Sequence, residues 1–421
     1  MRYLALEDWL AFQQRLHPAA IDMGLDRVAA VLARLALPQP LPPVITIGGT
    51  NGKGSTVAFL EAMLAASGRR VGAFTSPHLL DYNERVRVDG QPVGDEALVE
   101  AFARIDDARG DISLTFFEWN ALAALLVFAG RGCDVWLLEV GLGGRLDAVN
   151  ALDADVAVVV SIGLDHCDYL GPTLEHIGAE KAGIFRKGRP AIFGALDMPA
   201  TVGEAAAATG ADLWRLGRDF DAEPGHRGEW TYRGRGWTLQ ALPAPALAGA
   251  VQYRNAAAAI AALESLRARL PVGETAVRAG LLQAGVAGRF QVIDGAPEWI
   301  LDVGHNPAAA AELAANLDAR PCAGRTWLVA GILRDKDIEG IAARLDGRGE
   351  WIAVGLEGDR ALAVNELARR LAAQSGASVR TAPSVEAGCE LARQLAGRAD
   401  RIVVFGSFHT VGPALRWHRG G

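Results

Sequence analysis

Cysteine is scarce in this chain, and the little there is lies scattered. Cys133, Cys167, Cys322 and Cys389 form no CxxC spacing and no Cys/His ligand cluster. That pattern argues against a zinc site or a disulfide scaffold and for reduced, mostly buried thiols in a cytoplasmic protein. No uncharged stretch of about 18 apolar residues occurs, and the opening MRYLALEDWL has neither an unbroken apolar core nor a small-residue cleavage site. Neither export nor membrane insertion is expected. Long basic runs are missing too. A formal net charge of −7 and a pI near 5.7 speak against a nucleic-acid surface and leave room only for a local basic pocket. With 50% hydrophobic and 22% charged residues, the rest is ordinary globular composition, and 421 residues suffice for two or three domains.

The most informative stretch is VITIGGTNGKGST, residues 44–56. Val44 to Ile47 are β-branched and follow Pro42 and Pro43, and an apolar helical pattern runs from Ser55 to Ala66, so a glycine-rich loop joins a strand to a helix N-terminus. Gly48, Gly49, Gly52 and Gly54 permit backbone N–H groups to turn onto phosphate oxygens, and the helix dipole adds partial positive charge. Lys53 supplies a full charge, and the Ser55 or Thr56 hydroxyl can reach a magnesium ion.

Other polar groups recur at strand ends. Ser76 and Pro77 follow the strand Val71–Thr75 and mark a helix start, with Ser76 facing nucleotide and metal. Tyr82 to Gly90 alternates as an exposed strand, whose Arg85 and Arg87 are either solvated or receive a substrate carboxylate. Thr115, Phe116, Phe117 and Glu118 precede a helix and read either as core or as a slot for a flat ring. Glu139 closes the strand Val135–Leu138, where a buried carboxylate calls for a cation such as magnesium. His166 follows the strand Val156–Ser161 and reads as a metal ligand. Lys181, in an apolar helix, is either an ion-pair partner of Glu180 or Asp165, or an amine neutral enough to capture carbon dioxide as a metal-binding carbamate. Asp22, between two N-terminal helices carrying Leu4, Trp9, Phe12, Val28 and Val31, is placed to cap the second.

Residues 190–250 read as a strand, an alanine-rich helix and a hairpin without evident chemistry. A helix from Gln252 to Leu270 follows, with Asn255 near its start, and the chain reaches a junction at Gly288. Beyond it, strands Trp299–Val303, Thr326–Ala330, Trp351–Val354 and Arg401–Phe405 alternate with amphipathic helices, as in a second, smaller α/β unit. Asp302, His305 and Asn306 mark one strand end there.

Taken together, GGTNGKGS (48–55), SPHL (76–79), TFFE (115–118), LEVGLGGRLDA (138–148), LDH (164–166), GAEKAGIFR (178–186), GRFQ (288–291), DVGHNP (302–307), RDKDI (334–338) and GSFHTV (406–411) closely resemble the bacterial bifunctional dihydrofolate synthase and folylpolyglutamate synthase family of the Mur ligase superfamily. The resemblance spans nearly the full length. It implies an α/β fold with an N-terminal P-loop-containing, Mur-ligase-like ATPase domain over residues 1–287 and a smaller C-terminal, Rossmann-like glutamate-ligase domain over 288–421. It places ATP on Thr50, Asn51, Gly52, Lys53, Gly54 and Ser55, completed by Asn255, Arg289 and Asp302. By the same resemblance magnesium is held by Ser76, Glu139 and His166, and Lys181 is carbamylated. Dihydropteroate touches Ile21, Asp22 and Met23, Thr115 to Glu118, and Leu146, Asp147 and Ala148. Catalysis rests on Lys53, Lys181 and His305. Gly304 departs from the pattern, where alanine is commoner, with little expected consequence.

The implied partners are dihydropteroate, reduced folates and L-glutamate, with no nucleic acid and no membrane, and the expected state is a monomer. Competing expectations are a folylpolyglutamate synthase without dihydropteroate activity, a cell-wall Mur ligase, and a phosphate-loop kinase or ATPase that turns ATP over without glutamate.

Overall fold

A computed structural model describes residues 2–226, 228–376 and 378–420. The chain divides into two compact units, Met1–Ala246 with Gln252–Gly285, and Leu247–Val251 with Val286–Gly421.

In the first unit the wholly buried strand β1 (Val44–Gly48) is central. Seven more strands join it: β2 (Val71–Phe74), β3 (Val86–Val88), β4 (Gln91–Pro92), β5 (Val135–Glu139), β6 (Val156–Val159), β7 (Pro190–Phe193) and β8 (Asp212–Arg215). Their order is β4-β3-β2-β5-β1-β6-β7-β8. Across the sheet from β2 to β8 all neighbours are parallel, and only β3 reverses, pairing antiparallel with both β2 and β4. Because β1 lies between β5 and β6, the loops leaving the carboxyl ends of these three strands meet, at the kind of crevice where open α/β sheets bind ligands. Helices Lys53–Ala66 and Phe116–Gly130 are apolar on nearly all sides and correspondingly buried. Trp9, Phe102 and Trp119 pack edge to face or tilted near the N-terminus, with centroids 5.9–6.0 Å apart.

Several local expectations are corrected. Tyr82–Arg85 is a 3-10 turn and only Val86–Val88 is strand, because Glu84 accepts the N–H groups of Leu79, Leu80 and Asp81 and closes the turn. Neither arginine there is solvated. Arg85 is buried beside His78, and Arg87 grips Glu61 at 2.8 Å. Ser76 and Pro77 begin no helix. The helix Asp26–Arg34 has Leu25 as its N-cap without a side-chain cap, and Asp22 pairs instead with Arg27. Leu4 lies outside the first helix, Leu6–Leu16, and is exposed. The hairpin expected after β7 is present as β10 (Trp230–Arg233) paired antiparallel with β11 (Thr238–Leu242), and β9 (Asp221–Pro224) on the other side of β10 completes a separate three-stranded sheet.

The second unit carries six strands in the order β12-β13-β17-β14-β15-β16: β12 (Gln291–Ile293), β13 (Glu298–Asp302), β14 (Thr326–Ala330), β15 (Glu350–Val354), β16 (Val379–Ala382) and β17 (Arg401–Phe405). All are parallel except β12, which pairs antiparallel with β13. The short edge strands β12 and β16 escaped the apolar-run reading because neither is fully buried.

Candidate active site

The loop after β1 is held by its own unit from beneath. Thr50 N–H donates to the Ser161 carbonyl at 2.8 Å, and the Thr50 hydroxyl donates to Gly163 O at 3.1 Å. The Ser161 hydroxyl accepts Asn51 N–H at 3.0 Å and donates to Asn51 O at 2.9 Å. Gly52, with φ 86°, starts the helix, and a Cβ there would lie 2.8 Å from both Asn255 Oδ1 and Val160 Cγ1. Asn255 therefore stands against the loop, buried and fixed by its amide donating to Gln252 Oε1 at 3.0 Å. The Thr56 hydroxyl turns back to Gly52 O at 3.0 Å, while Ser55 is buried in the first helical turn.

Two lysines meet at this loop. Lys53 Nζ donates to Gly49 O at 3.0 Å and Thr50 O at 3.3 Å, and Lys181 Nζ donates to the same Gly49 O at 3.0 Å. Burial, reinforced by the charge of Lys53, lowers the Lys181 pKa to about 7. Glu180 does not take Lys181 as a partner, since it binds Arg145 at 2.7 Å. Glu139, buried at the end of β5, is in register with Ile47 of β1, and its Oε2 lies 3.8 Å from where a Cβ on Gly54 would stand. The Lys53 ammonium, a second lysine beside it, an αL glycine and a helix N-terminus suit a polyphosphate, and a buried carboxylate beside them suits the cation that accompanies it.

Ser76 is half-buried in the loop after β2, and His166 is exposed, with φ 51°, its Nε2 4.0 Å from Asp165. Among the described residues no group of three or more His, Cys, Asp or Glu side chains stands ready to hold a metal. Ser76, Glu139 and His166 contain only two such side chains. Their donor types, a hydroxyl, a carboxylate and an imidazole, nevertheless fit a hard divalent ion whose remaining ligands come from phosphate and water.

The expected acceptor segments are far apart in sequence and tied together in the structure. Thr115 caps the helix Phe116–Gly130 in a capping box with Glu118, whose carboxylate also receives Arg27 at 3.1 Å. Phe117 lies against Gly141, where a Cβ would fall 2.5 Å from its ring. Met23 reaches Gly143, with Cε 3.3 Å from a Cβ built there. Asp147 accepts the N–H groups of Gly141, Leu142 and Val149 at 2.9–3.1 Å, and burial still pushes its carboxyl up to about 6. Leu146 and Ala148 flank it, and Ile21 is exposed on the Asp22 segment.

In the second unit, Asp302 at the end of β13 accepts Phe290 N–H at 2.9 Å and Gly304 N–H at 2.7 Å. Burial raises its pKa, with Arg289 opposing that shift. A Cβ at Gly304 would lie 2.7 Å from Asp302 Oδ1, so the glycine has the consequence of letting its N–H approach the carboxylate. His305 Nδ1 lies 3.0 Å from Val303 O, and the Arg289 guanidinium lies over the Phe408 ring.

Residues 47–263 match the Mur ligase middle domain and residues 288–408 the Mur ligase glutamate ligase domain. A dihydrofolate synthase/folylpolyglutamate synthase of Escherichia coli is 46% identical over 407 residues, 96% of this chain and 94% of that protein. The chain belongs to this family of Mur ligases. Among solved structures, E. coli FolC in complex with DHPP and ADP is similar with TM-score 0.94 and 44% identity, covering 99% of this chain and 98% of that one. A bifunctional folylpolyglutamate synthase/dihydrofolate synthase with Mn, AMPPNP and L-glutamate bound follows with TM-score 0.91 and 43% identity, over 99% and 98% of the two chains. In this Mur ligase the sequence reading passed over Ser161 and Gly163, which clamp the glycine-rich loop, and Arg27, which joins Asp22 to Glu118. A serine ending a fully apolar strand was a signal for the first; nothing in the spacing flagged Arg27.

Proposed function

We propose that the enzyme joins L-glutamate through an amide bond to dihydropteroate, giving dihydrofolate, and to reduced folates, giving polyglutamates, in an ATP-driven reaction. The observation that carries this reading is the meeting of Lys53 and Lys181 on one carbonyl of a glycine-rich loop, with a buried carboxylate at the neighbouring strand end. The ligands in the relatives' complexes, ADP and DHPP in one and AMPPNP, Mn and L-glutamate in another, support it.

The chemical problem is that a carboxylate does not condense with an amine at neutral pH, because hydroxide and oxide are poor leaving groups. Transfer of the γ-phosphoryl group to the acceptor carboxylate gives an acyl phosphate, and the glutamate amine then displaces phosphate with loss of a proton. The loop from Thr50 to Ser55 takes the triphosphate at the helix N-terminus that begins after Gly52, the Thr50 and Asn51 N–H groups being used to fix the loop on Ser161, and Lys53 offsets charge on it as the phosphoryl group moves. Asn255, Arg289 and Asp302 are assigned to the nucleotide, and His305 to orienting or deprotonating the amine. Magnesium, held by Ser76, Glu139 and His166, neutralises phosphate charge when bound. Lys181, near neutrality in its pKa, is suited to carry a carbamate that acts as a longer carboxylate. Ile21 to Met23, Thr115 to Glu118 and Leu146 to Ala148 surround the pterin. We read the enzyme as a cytoplasmic monomer; four unpaired cysteines accord with a reducing compartment, and no described helix is long and apolar enough to cross a membrane.

The test is phosphate release from magnesium ATP and L-glutamate with dihydropteroate, with a reduced folate, and with no acceptor. Turnover with both pterin acceptors is expected. Turnover with folate alone would reduce the enzyme to a polyglutamate synthase, and equal release without acceptor would make it an ATPase.

A further inference from the structure

We infer that Arg27 is a positioning residue for the acceptor, bracing the Ile21–Met23 segment against the Thr115–Glu118 turn. The inference rests on the acceptor reading given above. Arg27 Nη1 pairs with Asp22 Oδ2 at 2.8 Å, and Nη2 donates both to the Asp22 backbone carbonyl at 2.8 Å and to Glu118 Oε1 at 3.1 Å. One planar guanidinium thus fixes the backbone and side chain of one segment and the side chain of another.

Each anchor is itself held. Glu118 is buried, and its second oxygen accepts Thr115 N–H at 2.7 Å, so both carboxylate oxygens are held within the protein. Asp22 Oδ2 is shared with His17 Nε2 at 3.0 Å, and His17 Nδ1 lies 3.0 Å from Ser113 Oγ just before the turn. The brace therefore has two arms between the same segments, Arg27 to Glu118 and His17 to Ser113. Asp22 is 40% exposed, and its Oδ1 has no hydrogen-bond partner among the described residues. Such an oxygen suits the N–H edge of a heteroaromatic ring, provided the carboxylate is kept from swinging away.

Arg27 does not behave as a surface ion-pair residue. Only 25% of its side chain is exposed, and its buried Nε has no hydrogen-bond partner among the described residues. A free surface arginine would turn that N–H to water and avoid the loss. The position is maintained because the two other nitrogens hold three acceptors at once.

The experiment compares the full chain with Arg27→Met and Arg27→Lys, measuring dihydropteroate binding by calorimetry and KM for dihydropteroate, ATP and L-glutamate. Arg27→Met is expected to weaken dihydropteroate binding and raise its KM about tenfold, with the other two KM values within about twofold and kcat little changed. Arg27→Lys, which keeps the charge but not the fork, is expected to recover only part of the loss. If the Met variant does not fold, Arg27→Gln, which retains a donor on a shorter stem, carries the same expected split. Wild-type protein that binds no dihydropteroate would overturn the acceptor reading together with this inference. Normal binding by wild type and Arg27→Met alike, or an equal rise in all three KM values, would overturn the positioning role alone.

Discussion

The helix Lys53–Ala66 leaves β1 through Gly52, which has φ 86° and no side chain with which to cap, whereas Pro307–Ala319 leaves β13 through Asn306, whose side chain accepts Ala309 N–H at 2.9 Å. Both junctions are strand, short loop and helix, with Lys53 opening the first helix and Asp302 ending the second strand. At the second, Asp302 already collects Phe290 and Gly304 N–H groups, and Pro307 removes one of the donors that an anion would seek. At the first, Lys53 and Lys181 both donate to the Gly49 carbonyl. Equal topology therefore gives a helix end suited to an anion in one unit and a helix end with its own backbone cap in the other, where Arg289, Asp302 and His305 keep the side-chain roles proposed above, and the choice lies in the capping residue and the nearby lysines.

Removing the charge that separates the two junctions has the largest expected effect. Lys53→Ala should lower phosphate release by about a thousandfold or more, in line with loss of a group that acts on a transferring phosphoryl. Its ammonium rests on loop carbonyls, so far-ultraviolet circular dichroism should stay unchanged. Retained turnover would place the catalytic charge elsewhere.

Gly52→Ala attacks the geometry of the open end. A Cβ there meets Asn255 Oδ1 and Val160 Cγ1 at 2.8 Å and must adopt φ near 86°. Strain of about 1–3 kcal/mol is expected, together with a raised KM for ATP as Asn255 or the loop is displaced. A variant with unaltered ATP affinity would show that the close approach is dispensable.

Much of the open junction was legible from residues 44–56 alone, because β-branched residues, glycines and a lysine at that spacing have one economical physical reading. Glu139 was legible as a strand-end carboxylate because it stands after an apolar run, whereas His166 lies beyond the end of β6 at Val159, in an exposed turn with φ 51°. What stayed hidden was supplied by tertiary contact. Arg85 and Arg87 alternate like solvent-facing residues, yet the Glu84 turn and Glu61 draw them inward. TFFE reads as an aromatic slot, and its two polar members turn out to cap a helix. Lys181 offered an ion pair with Glu180 or Asp165 and an altered amine; Glu180 is taken by Arg145, and burial with the Lys53 charge lowers the Lys181 pKa, which the sequence spacing could not show.

That altered amine gives a pH test of the first junction. The Lys181 pKa falls from 10.5 to about 7 on folding, through burial and the charge of Lys53. Between those values the unfolded chain holds a proton that the folded protein lacks, so stability should rise with pH from about 7 towards 10.5. Below about pH 7 both states are charged and the full burial penalty stands. In carbon-dioxide-free buffer, Lys181→Met should flatten this slope, which is worth a few kcal/mol, about 1.4 per pKa unit. A slope shared by wild type and variant would assign the pH response to other groups.

The capped junction predicts the smallest effect. Asn306→Ala removes the side-chain oxygen that accepts Ala309 N–H, leaving one donor of the first helical turn without its cap. The expected loss is about 1 kcal/mol of stability, read as a lower urea midpoint for the transition of the second unit with an unchanged slope. Because Asp302 and Pro307 still occupy or remove the neighbouring donors, phosphate should not protect the variant more than it protects wild type. Phosphate-dependent recovery of the midpoint would mean that this helix end is an anion site closed only by Asn306, and the contrast between the two junctions would then reduce to one side chain.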